Sequence, residues 1–301
     1  LTLDIGGNSA TLGLCAGAEG KHTAHFTVPM GMHTLLDGLR THPERLTEDF
    51  DRVLACHSRF AAQNHGMVEK FEEEVRAART DIQVRRIGYC ADDGTLRGYV
   101  AYRFESASDT NYTQNRLSVE ELIYEDGAVL RALLGGLKLQ EDLAQTVILR
   151  TGEEDFHHLL QDPQDVSRNY IDYGFLQTNV SAVGTMFKLT DGPAFVEKTA
   201  YRPFPQGTLT AAFRCRDELT GAEQCLPIAF SQGRWAVAAA DAAADVTVTC
   251  RQGELTSLLM GSCDLEGLLR LGAAQTDDPD RAQELARLLH WGQKPWLNAD
   301  Y

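Results

Sequence analysis

The sequence predicts an α+β protein of two domains, and three observations carry that expectation. The chain has 301 residues, which is long for one hydrophobic core and comfortable for two. Its apolar residues recur first at helical spacing, then at a period of two, then at helical spacing again. From about Thr185 the pattern shifts to strand-like runs followed by short helices, which places a boundary near residue 183 and divides the chain into 1–183 and 184–301.

The elements follow in order. The first forty residues hold short strand-like pieces and a turn at Ala18-Glu19-Gly20. Thr47 is a plausible N-cap, with Glu48 and Asp49 behind it suiting the positive end of a helix dipole. Phe50, Val53, Leu54, His57 and Phe60 then recur at helical spacing, and Asn64-His65-Gly66 stops the helix. A second, highly charged helix is expected over 67–78, with Phe71 and Val75 inward. A strand at 83–89, a turn at Asp92-Asp93-Gly94 and a returning strand at 98–104 form a hairpin. A strand at 117–124, an apolar-faced helix at 128–139, a short strand at 147–149 and a short helix at 156–160 complete the first domain.

In the second domain a strand is expected at 186–191 and a helix at 193–201 with proline in its first turn. Strands at 207–216, 224–230, 233–239 and 244–250 follow, then short helices at 254–260 and 265–271. The last helix has Asp278 as N-cap, Pro279 first, and Ala282, Leu285, Leu288 and Leu289 inward.

Composition bounds the function. The net charge of −15 repels phosphate backbones, which argues against nucleic acid; it would suit a cationic substrate or partner, or it serves solubility alone. Seven scattered cysteines without a C-x-x-C suit a reducing, cytoplasmic compartment rather than a disulfide framework or zinc clip. No apolar run reaches the ~18 residues a membrane span needs, so no membrane partner is expected. The opening Leu1-Thr2-Leu3-Asp4-Ile5 alternates like a strand already under way, as in a chain whose front part is missing or whose N-terminus is processed or partly ordered.

The chemistry-bearing clusters each have a plain explanation. His22 and His25 lack a third metal ligand at short range, and no metal is expected. Glu153, Glu154 and Asp155 before His157 and His158 suit a helix start. Cys56-His57 pairs a nucleophile with a base in sequence, but neighbours on a helix point about 100° apart. There is no P-loop and no Rossmann loop. The Arg/Gln-x-x-Gly-x-Gly/Ala loop that binds acyl-CoA in ordinary N-acetyltransferases is absent too. Its nearest match, 85–90, falls within a strand, where it cannot offer helix N-terminal N–H groups to a pyrophosphate.

Two stretches carry more information together. One is Arg97-Gly98-Tyr99-Val100-Ala101-Tyr102-Arg103, then Leu117 through Ile123, then the helix with Leu133-Leu134. The other is Met186-Phe187-Lys188-Leu189-Thr190-Asp191-Gly192-Pro193-Ala194-Phe195 continuing to Tyr201. In order and spacing, over most of 45–301, they resemble the central and C-terminal parts of the enhanced-intracellular-survival (Eis) family of N-acetyltransferases. The tail from Pro295-Trp296 to an acidic and then an aromatic residue is similar as well.

The resemblance implies a degenerate GNAT-like acetyltransferase domain that does not bind cofactor, followed by a sterol-carrier-protein-like α+β domain. It implies that acetyl-CoA is held by a catalytic N-terminal domain absent from this chain, and that the whole protein is a homo-oligomer, a hexamer by resemblance. The implied reaction is acetyl transfer from acetyl-CoA to an amine of a cationic small molecule or peptide, with this fragment alone inactive. By the same resemblance the terminal carboxylate of Tyr301 acts as a catalytic base and Asp300 binds substrate. The alternative is a non-catalytic binding module whose sterol-carrier-like domain holds an apolar ligand. The shortness of the helices at 254–260 and 265–271 predicts instead that the apolar residues are core and that no fatty acid or sterol is retained.

Overall fold

The computed structural model describes residues 32–34, 43–111, 114–171, 174–182, 186–239 and 241–296, with side chains from Phe50 onward. The chain divides into two compact units, one up to Val180 and one over Ser181–Leu297.

Among the described residues the first unit holds a five-stranded sheet in the order β1-β2-β3-β4-β5. The strands are β1 (Met32–Thr34), β2 (Arg85–Cys90), β3 (Leu96–Ser106), β4 (Asn115–Tyr124) and β5 (Ala144–Leu149). The first four are antiparallel, and β5 runs parallel to β4. A parallel neighbour needs a crossover, which α3 (Gly127–Lys138) supplies. Between β1 and β2 lie α1 (Pro43–Gln63) and α2 (Glu72–Thr80). A one-turn 3₁₀ helix (Phe156–Leu159) and a small hairpin of β6 (Tyr170–Ile171) and β7 (Phe175–Leu176) follow.

The sheet is covered on both faces, so β3 and β4 are buried almost continuously rather than alternately. Val100, Tyr102, Leu117, Val119 and Leu122 pack with Val129, Leu130, Leu133 and Leu137 of α3. Tyr99, Ala101, Glu121 and Ile123 point to the opposite face, where Glu121 meets His57 of α1. Between Val119 and Glu121 the β3–β4 register shifts by one residue, leaving Glu120 as the extra residue of a bulge. Side chains alternate with period two, so this insertion reverses which face the later residues of β4 occupy. Without it Glu121 would face α3 along with Leu117 and Val119. Gly98 lets α3 approach the sheet: a Cβ there would lie 2.5 Å from Val129 Cγ1 and 2.7 Å from the Ile123 carbonyl oxygen. Gly98→Ala is expected to cost about 1–3 kcal/mol, the usual range for overpacking; an unchanged urea midpoint would refute this account.

The second unit is a sheet in the order β10-β9-β8-β11-β12. Its strands are β8 (Leu209–Arg216), β9 (Glu223–Ser231), β10 (Arg234–Val237), β11 (Val246–Arg251) and β12 (Ala274–Thr276). The central pair β8–β11 is parallel and the others antiparallel. Burial alternates along β8 and β11, so one face carries the core. Leu209, Ala211, Phe213, Ile228, Val246 and Val248 lie against Leu255, Leu258 and Leu259 of α5 (Gln252–Leu259), Leu265 and Leu268 of α6 (Leu265–Arg270), and the apolar side of α7 (Pro279–Leu288). A short α4 (Gly192–Lys198) is capped by Asp191, which accepts from Ala194 N at 2.9 Å.

Several expectations are corrected. Helix α1 starts at Pro43, so Thr47 lies inside it rather than at its cap; proline is favoured in a first turn because its missing N–H is not needed there. Helix α2 starts at Glu72, and Phe71 is its N-cap residue, 62% exposed rather than inward. None of its residues is buried. Residues 186–191 form no strand: Thr256 Oγ1 accepts from Leu189 N and Gln252 Nε2 donates to Leu189 O, so side chains rather than a strand ladder satisfy that backbone. The 3₁₀ turn is preceded by Asp155, whose side chain makes no capping bond. Helix α7 begins as expected, with Asp278 accepting from Asp280 N and Arg281 N.

Candidate functional site

The place where an acyl-CoA loop would be sought is a strand-to-helix junction, and in the first unit β4 passes to α3 through only Glu125 and Asp126. Asp126 Oδ1 accepts from Ala128 N at 2.8 Å and Val129 N at 2.9 Å, filling the helix N-terminus with the chain's own carboxylate. Those backbone hydrogen bonds, the one from Val129 first, hold the Asp126 carboxyl below the usual range. Beside it, Glu125 accepts from Arg59 Nε and from Arg97 Nε, each at 3.0 Å, and Arg97 also reaches Asp126 at 2.9 Å. A helix N-terminus attracts anions through bare N–H groups and its dipole. Here both attractions are spent on Asp126, and the nearby cations are paired with carboxylates. The junction does not fit the pyrophosphate of acyl-CoA.

A second cluster lies under α1. Glu121 is 9% exposed and Tyr99 fully buried, and the Tyr99 hydroxyl donates to Glu121 Oε2 at 2.6 Å. Lys70 Nζ forms an ion pair with Oε1 at 2.8 Å. His57 Nε2 stands 3.5 Å from the same oxygen. Burial lowers the His57 pKa; Glu121 opposes that effect and Lys70 reinforces it. Burial, with the Glu121 charge added, pushes the Tyr99 phenol well up. The cluster thus holds a neutral imidazole and a neutral phenol around one carboxylate. It is closed off from substrate, with Lys70 its most exposed side chain at 21%. Sequence reasoning did not bring these four residues together. They are separated by up to 64 positions, and only the bulge at Glu120 turns Glu121 towards the others.

The remaining candidates are placed as follows. Cys56 is fully buried and its thiol is pushed up to about 12 by burial, so it offers no thiolate. His57 engages Glu121 instead. His157 and His158 stack with ring centroids 4.1 Å apart, and His157 Nδ1 lies 3.2 Å from the Glu154 carbonyl oxygen. Among the described residues no group of three or more His, Cys, Asp and Glu is arranged to hold a metal ion. His22, His25, Asp300 and Tyr301 lie outside the described residues. Trp296, near the end of the chain, is described and buried.

In the second unit one side of the mainly aliphatic core carries an aromatic cluster. Phe195, Phe204, Phe230, Trp235 and Trp291 have ring centroids 4.7–6.4 Å apart, several of them edge to face. Gly261, at φ +75°, leaves room for Trp291, whose Nε1 donates to Leu258 O at 3.0 Å. Trp235 Nε1 is buried and its N–H finds no acceptor among the described residues. The Arg202 guanidinium lies 3.2 Å from the centre of the Trp291 ring, and burial pushes its pKa down to about 10.

Comparison with known proteins agrees with this anatomy. Residues 65–176 match the acetyltransferase (GNAT) domain family, and residues 193–298 match the sterol carrier protein domain family. No curated protein matches. Among solved structures, Eis1 from Mycobacterium abscessus is 18% identical with a TM-score of 0.62, over 90% of this chain and 62% of that one. A protein from Enterococcus faecalis V583, described as a probable N-acyltransferase, is 19% identical with a TM-score of 0.59, over 83% of this chain and 59% of that one. A GCN5-related N-acetyltransferase from Kribbella flavida is 16% identical with a TM-score of 0.57, over 91% and 60%. This chain therefore spans about three fifths of the length of the acetyltransferases it matches, and at such identities the likeness is one of fold. Among the described residues no helix is long and apolar enough to cross a membrane. The chain has the fold of a GNAT-like acetyltransferase domain followed by a sterol-carrier-protein-like domain.

Proposed function

We propose that this chain is the non-cofactor-binding part of a GNAT-type N-acetyltransferase of the Eis kind, acting on amines of a cationic small molecule or peptide in the cytoplasm. The observation that carries the proposal is the β4–α3 junction: an acetyltransferase fold whose anion-binding helix end is capped by Asp126 and flanked by Glu125. Such a domain needs a second acetyltransferase domain to hold acetyl-CoA, which supplies the acetyl thioester. The chain's own share is electrostatic and terminal. Its charge of −15 favours cations, Asp300 holds the substrate's positive charge, and the Tyr301 carboxylate takes the amine proton. The whole protein works as a homo-oligomer.

Calorimetric titration of the 301-residue chain with acetyl-CoA is expected to give no binding in the micromolar range; micromolar affinity would overturn the proposal. Acetyl transfer to polyamine-like substrates is expected only when a domain bearing the acyl-CoA loop is joined to the chain.

One observation favours a second reading, in which the last domain is a non-catalytic module for an apolar ligand. Among the described residues Trp235 Nε1 has no acceptor and the half-buried Arg202 guanidinium has no carboxylate, although both belong to the same aromatic cluster. Buried donors are normally satisfied, and a ligand head group would satisfy these. Native mass spectrometry showing a lipid co-purified at near-stoichiometric amount would decide for this reading.

A further inference from the structure

We propose that β5 is a self-association edge, at which two copies of this chain pair their β5 strands antiparallel about a two-fold axis near Thr146. Strand β5 ends the sheet of the first unit, and β4 is its only neighbour among the described residues. Its outward N–H and C=O groups are therefore left for another strand. The strand, Ala144–Leu149, has no proline and no charged side chain, the usual defences of a bare edge. A one-residue bulge at Gln145 is its only irregularity and leaves Thr146 to Leu149 regular. Val147 and Ile148 are 47% and 37% exposed, and Leu143 just before the strand is 42% exposed.

Charge chooses the occupant and the direction. Glu141 and Asp142 precede the strand and Arg150 follows it; all three are exposed and make no ion pair among the described residues. Two copies running antiparallel set Arg150 of each against the acidic pair of the other, at both ends of the interface. The same arrangement places Leu149 of each copy near Leu143 of the other. A parallel pairing would oppose like charges, which is destabilising directly across strands. An isologous contact of this kind is closed, so it uses up both bare edges and leaves none for runaway pairing.

The inference rests on the homo-oligomer reading above and says which surface makes it. Sedimentation velocity on the 301-residue chain over a concentration series is expected to show self-association. Arg150→Glu is expected to weaken it roughly tenfold, as is the double change Glu141→Arg with Asp142→Arg, because each sets like charges opposite at two places. Combining all three changes in one chain is expected to restore association. Circular dichroism of each variant should match the parent, since the altered side chains are exposed. A monomeric parent chain overturns the inference together with self-association of this fragment. An associated parent indifferent to the charge changes leaves the homo-oligomer reading standing and removes β5 from it. Weakening by both reversals without rescue by their combination rejects the antiparallel pairing.

Discussion

Glu121→Ala is expected to lower the stability of the first unit by about 3–5 kcal/mol, the range for removing one member of a buried ion pair. The Tyr99 hydroxyl, fully buried, would lose its acceptor, and an unsatisfied buried donor alone costs about 1–3 kcal/mol. Lys70 would keep its charge with no carboxylate beside it, though its 21% exposure lets water share that cost. Glu121→Gln keeps an oxygen for Tyr99 while removing the charge, so its loss should be smaller. All three tryptophans, Trp235, Trp291 and Trp296, lie in the second unit, so tryptophan emission follows that unit while circular dichroism follows both. The loss should appear as an earlier transition by circular dichroism, with the emission transition in place. Transitions that coincide with those of the parent chain would show that the cluster contributes nothing.

The same cluster sets a pH dependence. The His57 pKa in the folded chain is lowered by burial, so the unfolded chain binds the proton more readily. The contribution of a neutral His57 is therefore fully present above the unfolded value, about 6.5, and is lost as pH falls below it. His57→Gln should flatten stability over that range, in a urea titration repeated at several pH values.

The second large effect belongs to catalysis in the enzyme proposed above, with its cofactor-binding domain in place. A short tag appended after Tyr301 is expected to lower kcat by roughly 10²-fold or more, the scale of a lost general base, with the fold intact. The tag replaces the terminal carboxylate by a peptide bond, which carries no charge and takes no proton. An exposed α-carboxyl titrates at about 3.3–3.7, too low to accept a proton efficiently from an ammonium. Burial of that carboxylate away from cations would raise it, and a bridging water would relay the proton. Pro295 restricts the backbone leading to the tail, and Trp296 is buried. Asp300→Asn should raise KM for cationic substrates more than it lowers kcat, because a group that holds the substrate's charge acts in the ground state as well as in the transition state. A tagged enzyme turning over at the parent rate would remove the carboxylate from the mechanism.

What the sequence determined by itself is whatever rests on neighbours along the chain. Helix α7 announced its cap at Asp278, its first-turn proline and its buried Ala282, Leu285, Leu288 and Leu289, because caps and helical faces are set within a few residues. The hairpin of β2 and β3 was equally legible from period-two runs flanking Asp92-Asp93-Gly94, with Gly94 taking φ +83° in the turn. The order of a GNAT-like and then a sterol-carrier-like domain came from the resemblance to the Eis family, which rests on several motifs in order rather than on any single one.

Tertiary structure decided what depends on distant partners. Residues 186–191 have a strand-like pattern, yet Thr256 and Gln252 take the Leu189 backbone bonds that a strand would have used. Phe71 has the apolar character of a core residue and stands exposed at the start of α2, because no other described element covers it. Nothing in the sequence announces that one extra residue at Glu120 turns Glu121 towards His57, Lys70 and Tyr99. The absence of the acyl-CoA loop could be read from the letters, but the occupation of its place by Asp126 could not. Side-chain direction in a sheet follows register, and register is a property of two strands rather than one.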